Sequence, residues 1–185
     1  MSWFPEYTID SAPAGSRRFM VATQNHLGYL PAATARWAAS PDLLEGFGKL
    51  NAIFENGTLD PVAREVVVMT IATRNGCHVC VAMHTARLTA LEASPEVVAA
   101  LRSALPVPDE RLDAARVFTL RVLDTAGDVG DDALEAFLAS GYTTQHALEV
   151  VLGIGTYTMS TLANRLTAAP LDDQLSAFAW TSAAV

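Results

Sequence analysis

Asn75-Gly76-Cys77-His78-Val79-Cys80-Val81-Ala82-Met83-His84-Thr85 is the stretch on which the reading of this chain turns. It holds the only two cysteines of the sequence, three positions apart, and a histidine four positions after the second. On a helix, positions three and four apart share a face, so two sulfurs and an imidazole project together. Asn75-Gly76 breaks what precedes it, and Gly76 supplies the left-handed geometry of a sharp bend between helices. A helix is expected from Cys77 to about Ala93. Cys77 falls in its first turn, where unpaired amides and the helix dipole favour a thiolate.

Working upstream, Asp60-Pro61 is a helix start, with a capping side chain followed by proline in the first turn. The segment it opens carries Val62, Val66, Val67, Met69, Thr70 and Ile71 and is apolar nearly all round. Its valines and threonine also suit a strand. Its length, proline start and helical surroundings predict a helix, buried at the centre of the fold. If this helix and the next fold back as a hairpin, Glu65 reaches His84, directly or through a water. Arg64 or Arg74 offers Glu65 a salt bridge in a purely structural alternative.

Ser40-Pro41 and Ser94-Pro95 repeat the start signal. The first opens a helix with Leu43, Leu44, Phe47, Leu50 and Phe54 at helical spacing, ended by Asn56-Gly57. Further helices are expected over 109–125, 131–139 and 143–167. The segment from Asp172 to Trp180 is expected to pack on a neighbouring subunit. Residues 1–16 read as an extended N-terminal arm, and 17–185 as a single all-α domain. Gly153-x-Gly155 is no phosphate loop, because it lies within an apolar helix; it reads as a close helix contact. His26 and His146 read as packing or capping residues, His78 as exposed, and Tyr142 and Tyr157 as core aromatics.

The chain has 185 residues, 51% hydrophobic and 17% charged, which leaves apolar surface beyond one core and predicts a homo-oligomer. A net charge of −8 disfavours nucleic acid and anionic membranes as partners. The N-terminus lacks the pattern of a signal peptide and no run spans a bilayer, so a cytoplasmic location is expected. In a reducing compartment a close cysteine pair is catalytic or metal-binding more often than a structural staple.

A thiol, an imidazole and a carboxylate together suit thiol redox chemistry. One thiolate attacks the O–O bond of a peroxide and becomes a sulfenic acid, and the second thiol condenses with it to a disulfide. An external dithiol then resets the pair. Position at the helix start favours Cys77 as the attacking sulfur, and proximity to His84 favours Cys80. Zinc held by Cys77, Cys80, His84 and Glu65 is the metal alternative, but three ligands within two turns of one helix strain a tetrahedral shell.

Glu65, then Cys77-x-x-Cys80-x-x-x-His84, resembles the AhpD-like alkylhydroperoxidases of the carboxymuconolactone decarboxylase superfamily. Gly28-Tyr29-Leu30-Pro31, Ser40-Pro41-Asp42-Leu43-Leu44, Gly141-Tyr142, Glu149-Val150-Val151 and the run from Tyr157 to Asn164 extend the likeness. The resemblance implies an AhpD-like helical bundle with the cysteine pair at the start of a central helix, assembled as a dimer, trimer or hexamer. It implies antioxidant, thiol-dependent reduction of alkyl hydroperoxides without a cofactor. Cys80 would be peroxidatic, Cys77 resolving, and Glu65 and His84 a proton relay. The reductant would be a thioredoxin-like or lipoyl-bearing dithiol protein. The best-known members carry a relay histidine immediately before the second cysteine, where this chain has Val79, with His78 one place earlier. Two other readings are a decarboxylase-type enzyme using His84 and Glu65 on a small organic acid, and a non-catalytic redox-sensing or zinc-binding protein.

Overall fold

A computed structural model describes residues 3–181. Among them there are helices and no strands: α1 (Ala14–Leu27), α2 (Ala32–Trp37), α3 (Pro41–Glu55), α4 (Pro61–Arg74), α5 (His78–Ala90), α6 (Pro95–Arg102), α7 (Glu110–Thr125), α8 (Asp131–Ala139), α9 (Thr144–Leu166) and a final 3-10 turn, Asp173–Phe178.

The start signals act as expected. The side chains of Ser40, Asp60, Ser94 and Asp109 each accept from the backbone N–H three residues on, and prolines follow the first three. Thr143 and His146 form a reciprocal capping box at the start of α9, so His146 is a capping residue. Cys77 stands just outside α5 as its N-cap rather than within its first turn. Helix α1 begins at Ala14, inside the segment expected to be an extended arm. That segment is tied to the body: Tyr7 N–H donates to the Ala35 carbonyl (3.1 Å), and Ala12 is buried.

Helix α4 is the centre of the molecule, packed on α5, α7 and α9. Val66, Val67, Val68, Met69, Ile71 and Ala72 are all sealed from solvent. Each of these valine, methionine and isoleucine side chains stabilises the fold by about 1.5–3 kcal/mol. Thr70 avoids an unpaired hydroxyl by donating to the Val66 carbonyl (2.7 Å), so the β-branched run holds as a helix. Helix α9 lies close to α3 and α4 because Gly153 has no Cβ. An added one would sit 2.7 Å from the Phe54 ring and 3.3 Å from Val67. Glu149 of α9 receives the amides of Thr58 (2.9 Å) and Leu59 (2.8 Å) and thereby pins the loop that feeds α4. Tyr142 stacks on Phe137 with ring centroids 4.4 Å apart, as a packing residue.

The C-terminal turn packs on α5 of its own chain. Arg102 donates to the carbonyls of Phe178 (3.0 Å) and Ala179 (2.8 Å), and Trp180 Nε1 donates back to the Arg102 carbonyl (2.8 Å). Arg102 and Trp180 thus tie the end of the described chain to α6 of the same subunit. No helix among the described residues is long and apolar enough to cross a membrane.

Candidate active site

The bend between α4 and α5 builds the dithiol. Gly76 adopts φ +62°, and the Arg165 guanidinium lies 2.5 Å from where its Cβ would be. A side chain there would be strained in backbone and displace the arginine, which also donates to the Asn75 carbonyl. Cys77 then caps α5 through sulfur: its Sγ accepts from the Cys80 N–H at 3.4 Å. Both cysteines are reduced and buried. Asn164, arriving on α9, donates through Nδ2 to Cys80 Sγ (3.2 Å) and approaches Cys77 Sγ (3.7 Å).

The two thiols have diverging acidities. The Cys80 thiol hydrogen bonds to the Cys77 sulfur, and this bond, helped by the Cys80 amide, Asn164 and Arg165, holds Cys77 below the ordinary thiol range. The same bond, burial and the charge on Cys77 push Cys80 well above it. The pair therefore gives up one proton readily and the second with difficulty, as expected of two close like sites.

Glu65 and His84 meet as the hairpin arrangement predicts. His84 Nδ1 lies 2.6 Å from Glu65 Oε2, and both side chains are buried. Burial opposes the charge on Glu65, but the imidazole and the Arg87 guanidinium hold its carboxyl below the usual range. The expected salt bridge to Arg64 or Arg74 is corrected: Arg87 Nε binds Glu65 Oε1 at 3.0 Å, and Arg74 pairs with Asp124 instead. Arg87 also donates to Glu55 Oε2 at 2.8 Å, so a chain of polar contacts runs Glu55–Arg87–Glu65–His84. With Nδ1 engaged, Nε2 is the nitrogen left for proton exchange. Among the described residues, no group of three or more His, Cys, Asp or Glu side chains is arranged to hold a metal. Both Glu65 oxygens are turned to His84 and Arg87, away from a shared centre with the sulfurs.

Two cavities reach the pair. The larger, about 920 Å³, lies between α1, α2 and α3 on one side and α5 and α9 on the other, and is lined by both Cys80 and His84. Its walls are mainly apolar, with Phe19, Trp37, Phe47 and Tyr157 among them. Trp37, Phe47, Tyr157 and His84 form an edge-to-face series, with centroids 5.3, 6.2 and 5.1 Å apart. The smaller cavity, about 430 Å³, is lined by Cys77, His78 and Arg165. Asn164 lines both. Val79, which replaces the relay histidine of the resemblance, is buried on the large cavity, and His78 is exposed on the other side.

Sequence reasoning placed Glu65, Cys77, Cys80 and His84 together and missed Arg87, Asn164 and the cavity role of Tyr157 and His26. Arg87 had a readable signal, since it continues the face of Cys80 and His84 three positions on. Asn164 had none, because it lies 84 residues from Cys80 and only the packing of α9 brings it there.

The profile of the carboxymuconolactone decarboxylase family matches residues 41–120. No curated protein matches the chain. Among solved structures, it superposes on a peroxidase-related protein with an alkylhydroperoxidase AhpD core from Ralstonia eutropha at TM-score 0.84 and 22% identity, covering 94% of each chain. A peroxidase-related protein from Silicibacter gives TM-score 0.77 at 16% identity, covering 94% of this chain and 92% of that one. The debrominase Bmp8, solved with a tribromopyrrole, gives 0.72 at 16%, covering 96% and 97%. Residues 41–120 thus carry the pattern of the carboxymuconolactone decarboxylase family, inside a chain whose fold is that of AhpD-like, peroxidase-related proteins.

Proposed function

We propose that the chain is a cofactor-free thiol peroxidase that reduces organic hydroperoxides through Cys77 and Cys80. The observation that carries this reading is the convergence on one cavity wall of Cys80 and His84, with Cys77 hydrogen bonded behind Cys80 and Glu65 behind His84. In the reactive form one proton is shared between the sulfurs. With that proton on Cys77, the Cys80 thiolate attacks the outer oxygen of the hydroperoxide; the S–O bond forms and the O–O bond breaks. The alkoxide takes a proton from His84, whose ring Glu65 orients. Cys77 then attacks Cys80, the S–S bond forms, and hydroxide leaves with the Cys77 proton as water. A dithiol donor, thioredoxin-like or lipoyl-bearing, returns two electrons by exchange.

The reading places the enzyme where thiols stay reduced, as in the cytoplasm, in antioxidant defence. It also takes the chain as a homo-oligomer, supported by the exposed Leu148, Val151, Leu162 and Leu166 along the outer side of α9. The test is hydroperoxide consumption with a dithiol donor. Wild type should turn over and Cys80→Ser should not; equal rates end the proposal.

One observation favours a second reading. The aromatic walls of the large cavity suit a flat ring, and a structural neighbour is a debrominase. The same dithiol can give two electrons to a halogenated aromatic, releasing halide. Halide release from a brominated pyrrole with no hydroperoxide turnover would decide for it.

A further inference from the structure

Asn164 has an unusual position. The residue is 6% exposed, and its Nδ2 touches both sulfurs. Its Oδ1 is closed to solvent and has no hydrogen-bond partner. The residue itself is fixed, because its backbone carbonyl accepts from the Ala169 N–H (2.9 Å) at the end of α9. A buried acceptor without a donor is destabilising, and native proteins keep few of them. A leucine would fill the same space without that cost. Trp37 Nε1, Thr158 Oγ1 and Asp172 Oδ2 also lack partners, but Asn164 is the residue of this group whose side chain touches the sulfurs.

Resting on the peroxidase reading, we propose that Asn164 is a catalytic residue whose carboxamide serves both halves of the oxidation: Nδ2 steadies the thiolate of the Cys77/Cys80 pair, and Oδ1 accepts from the hydroxyl that Cys80 gains from the hydroperoxide. The orphaned oxygen has no donor in the reduced protein, and an oxygen newly bonded to the neighbouring Cys80 sulfur supplies one. The hydroperoxide brings one. Its own O–H hydrogen stays on the oxygen that is transferred, and becomes the hydrogen of Cys80–S–OH. Holding that hydrogen turns the S–O bond and leaves the sulfur open to Cys77, so that hydroxide departs as the disulfide forms. The position of Asn164 between the two cavities fits this role, because it borders Cys80 on one side and Cys77 on the other.

The thiolate half is read without any peroxide, by the pH dependence of iodoacetamide alkylation in the reduced protein. The other charged or titratable groups facing the dithiol are His78 and His84 on α5, Glu65 on α4 with Arg87 behind it, and Arg165 on α9. None is altered by Asn164→Leu or Asn164→Asp. Both variants should shift the profile to higher pH and slow alkylation about tenfold at pH 7, since a hydrogen bond to a charged group is lost. The acidic variant, which keeps the shape and adds a like charge, should shift it further. Profiles that coincide with wild type in folded variants overturn the proposal. The second half is read in a Cys77→Ser background with cumene hydroperoxide and dimedone trapping. Asn164→Leu should lower the yield of trapped Cys80 sulfenic acid about tenfold, and an unchanged yield overturns that half. A shifted alkylation profile with no sulfenic acid in any protein, Cys77→Ser alone included, overturns the peroxidase reading itself while sustaining the thiolate role.

Discussion

Cys80 and Cys77 stand one helical turn apart and face different surroundings. Cys80 opens on a large, mostly apolar cavity beside His84, whereas Cys77 opens on a small cavity rimmed by His78 and Arg165. Electrostatics runs the other way: the more acidic sulfur is Cys77, and Cys80 is held as a thiol. Access and acidity are thus divided between two atoms. In the proposed reaction the sulfur nearest a bulky substrate gains its negative charge by passing a proton to its neighbour, and the neighbour keeps that proton for the departing hydroxide. Under the same proposal the small cavity is the side from which a reductant reaches Cys77.

The largest expected effects break this comparison outright. Cys80→Ser should lower hydroperoxide turnover roughly 10³-fold or more, as loss of a nucleophile does. Cys77→Ser should abolish turnover to the same extent in steady state yet still consume one equivalent of hydroperoxide per subunit, measured in a single-turnover assay. If the two variants behave alike in that assay, the division of roles is wrong. Next, His84→Gln should cost about 10²–10⁴-fold in turnover through loss of proton transfer, with Glu65→Gln milder because the ring keeps a neutral partner. Filling the large cavity with Ala52→Trp should slow cumene hydroperoxide by about tenfold or more and hydrogen peroxide much less. Equal slowing of both would mean that the cavity does not select by size.

Most of the fold was readable because its signals are local. Serine or aspartate followed by proline marks α3, α4 and α6, and the asparagine–glycine pairs near 56 and 75 end helices where chain geometry demands it. The Glu65–His84 contact was readable because a hairpin of two adjacent helices has few registers. What stayed hidden depends on long-range packing. Asn164 reaches the sulfurs because Gly153 lets α9 approach α3 and α4, and no local pattern announces it. The contacts of the C-terminal turn with α5 and Arg102 of the same chain were likewise hidden, because nothing local in its sequence announces them.

Smaller effects sharpen the same picture through stability. Gly153→Ala should lower stability by about 1–3 kcal/mol through overpacking against Phe54, and because it moves α9 it should also slow alkylation of the dithiol. Asp60→Ala removes the cap of α4 and should cost about 1 kcal/mol. The lowered acidity range of Glu65 stabilises the fold fully above its ordinary value near 4.5, and that stability is lost as pH falls through the lower native value. Melting curves of wild type should therefore decline more steeply on acidification than those of Glu65→Gln.

The most direct measurement maps the oxidised sulfur by mass spectrometry after one equivalent of hydroperoxide. Wild type should yield a disulfide between Cys77 and Cys80, and Cys77→Ser should yield sulfenic acid on Cys80. Sulfenic acid forming on Cys77 in Cys80→Ser while Cys80 in Cys77→Ser stays reduced would contradict the account.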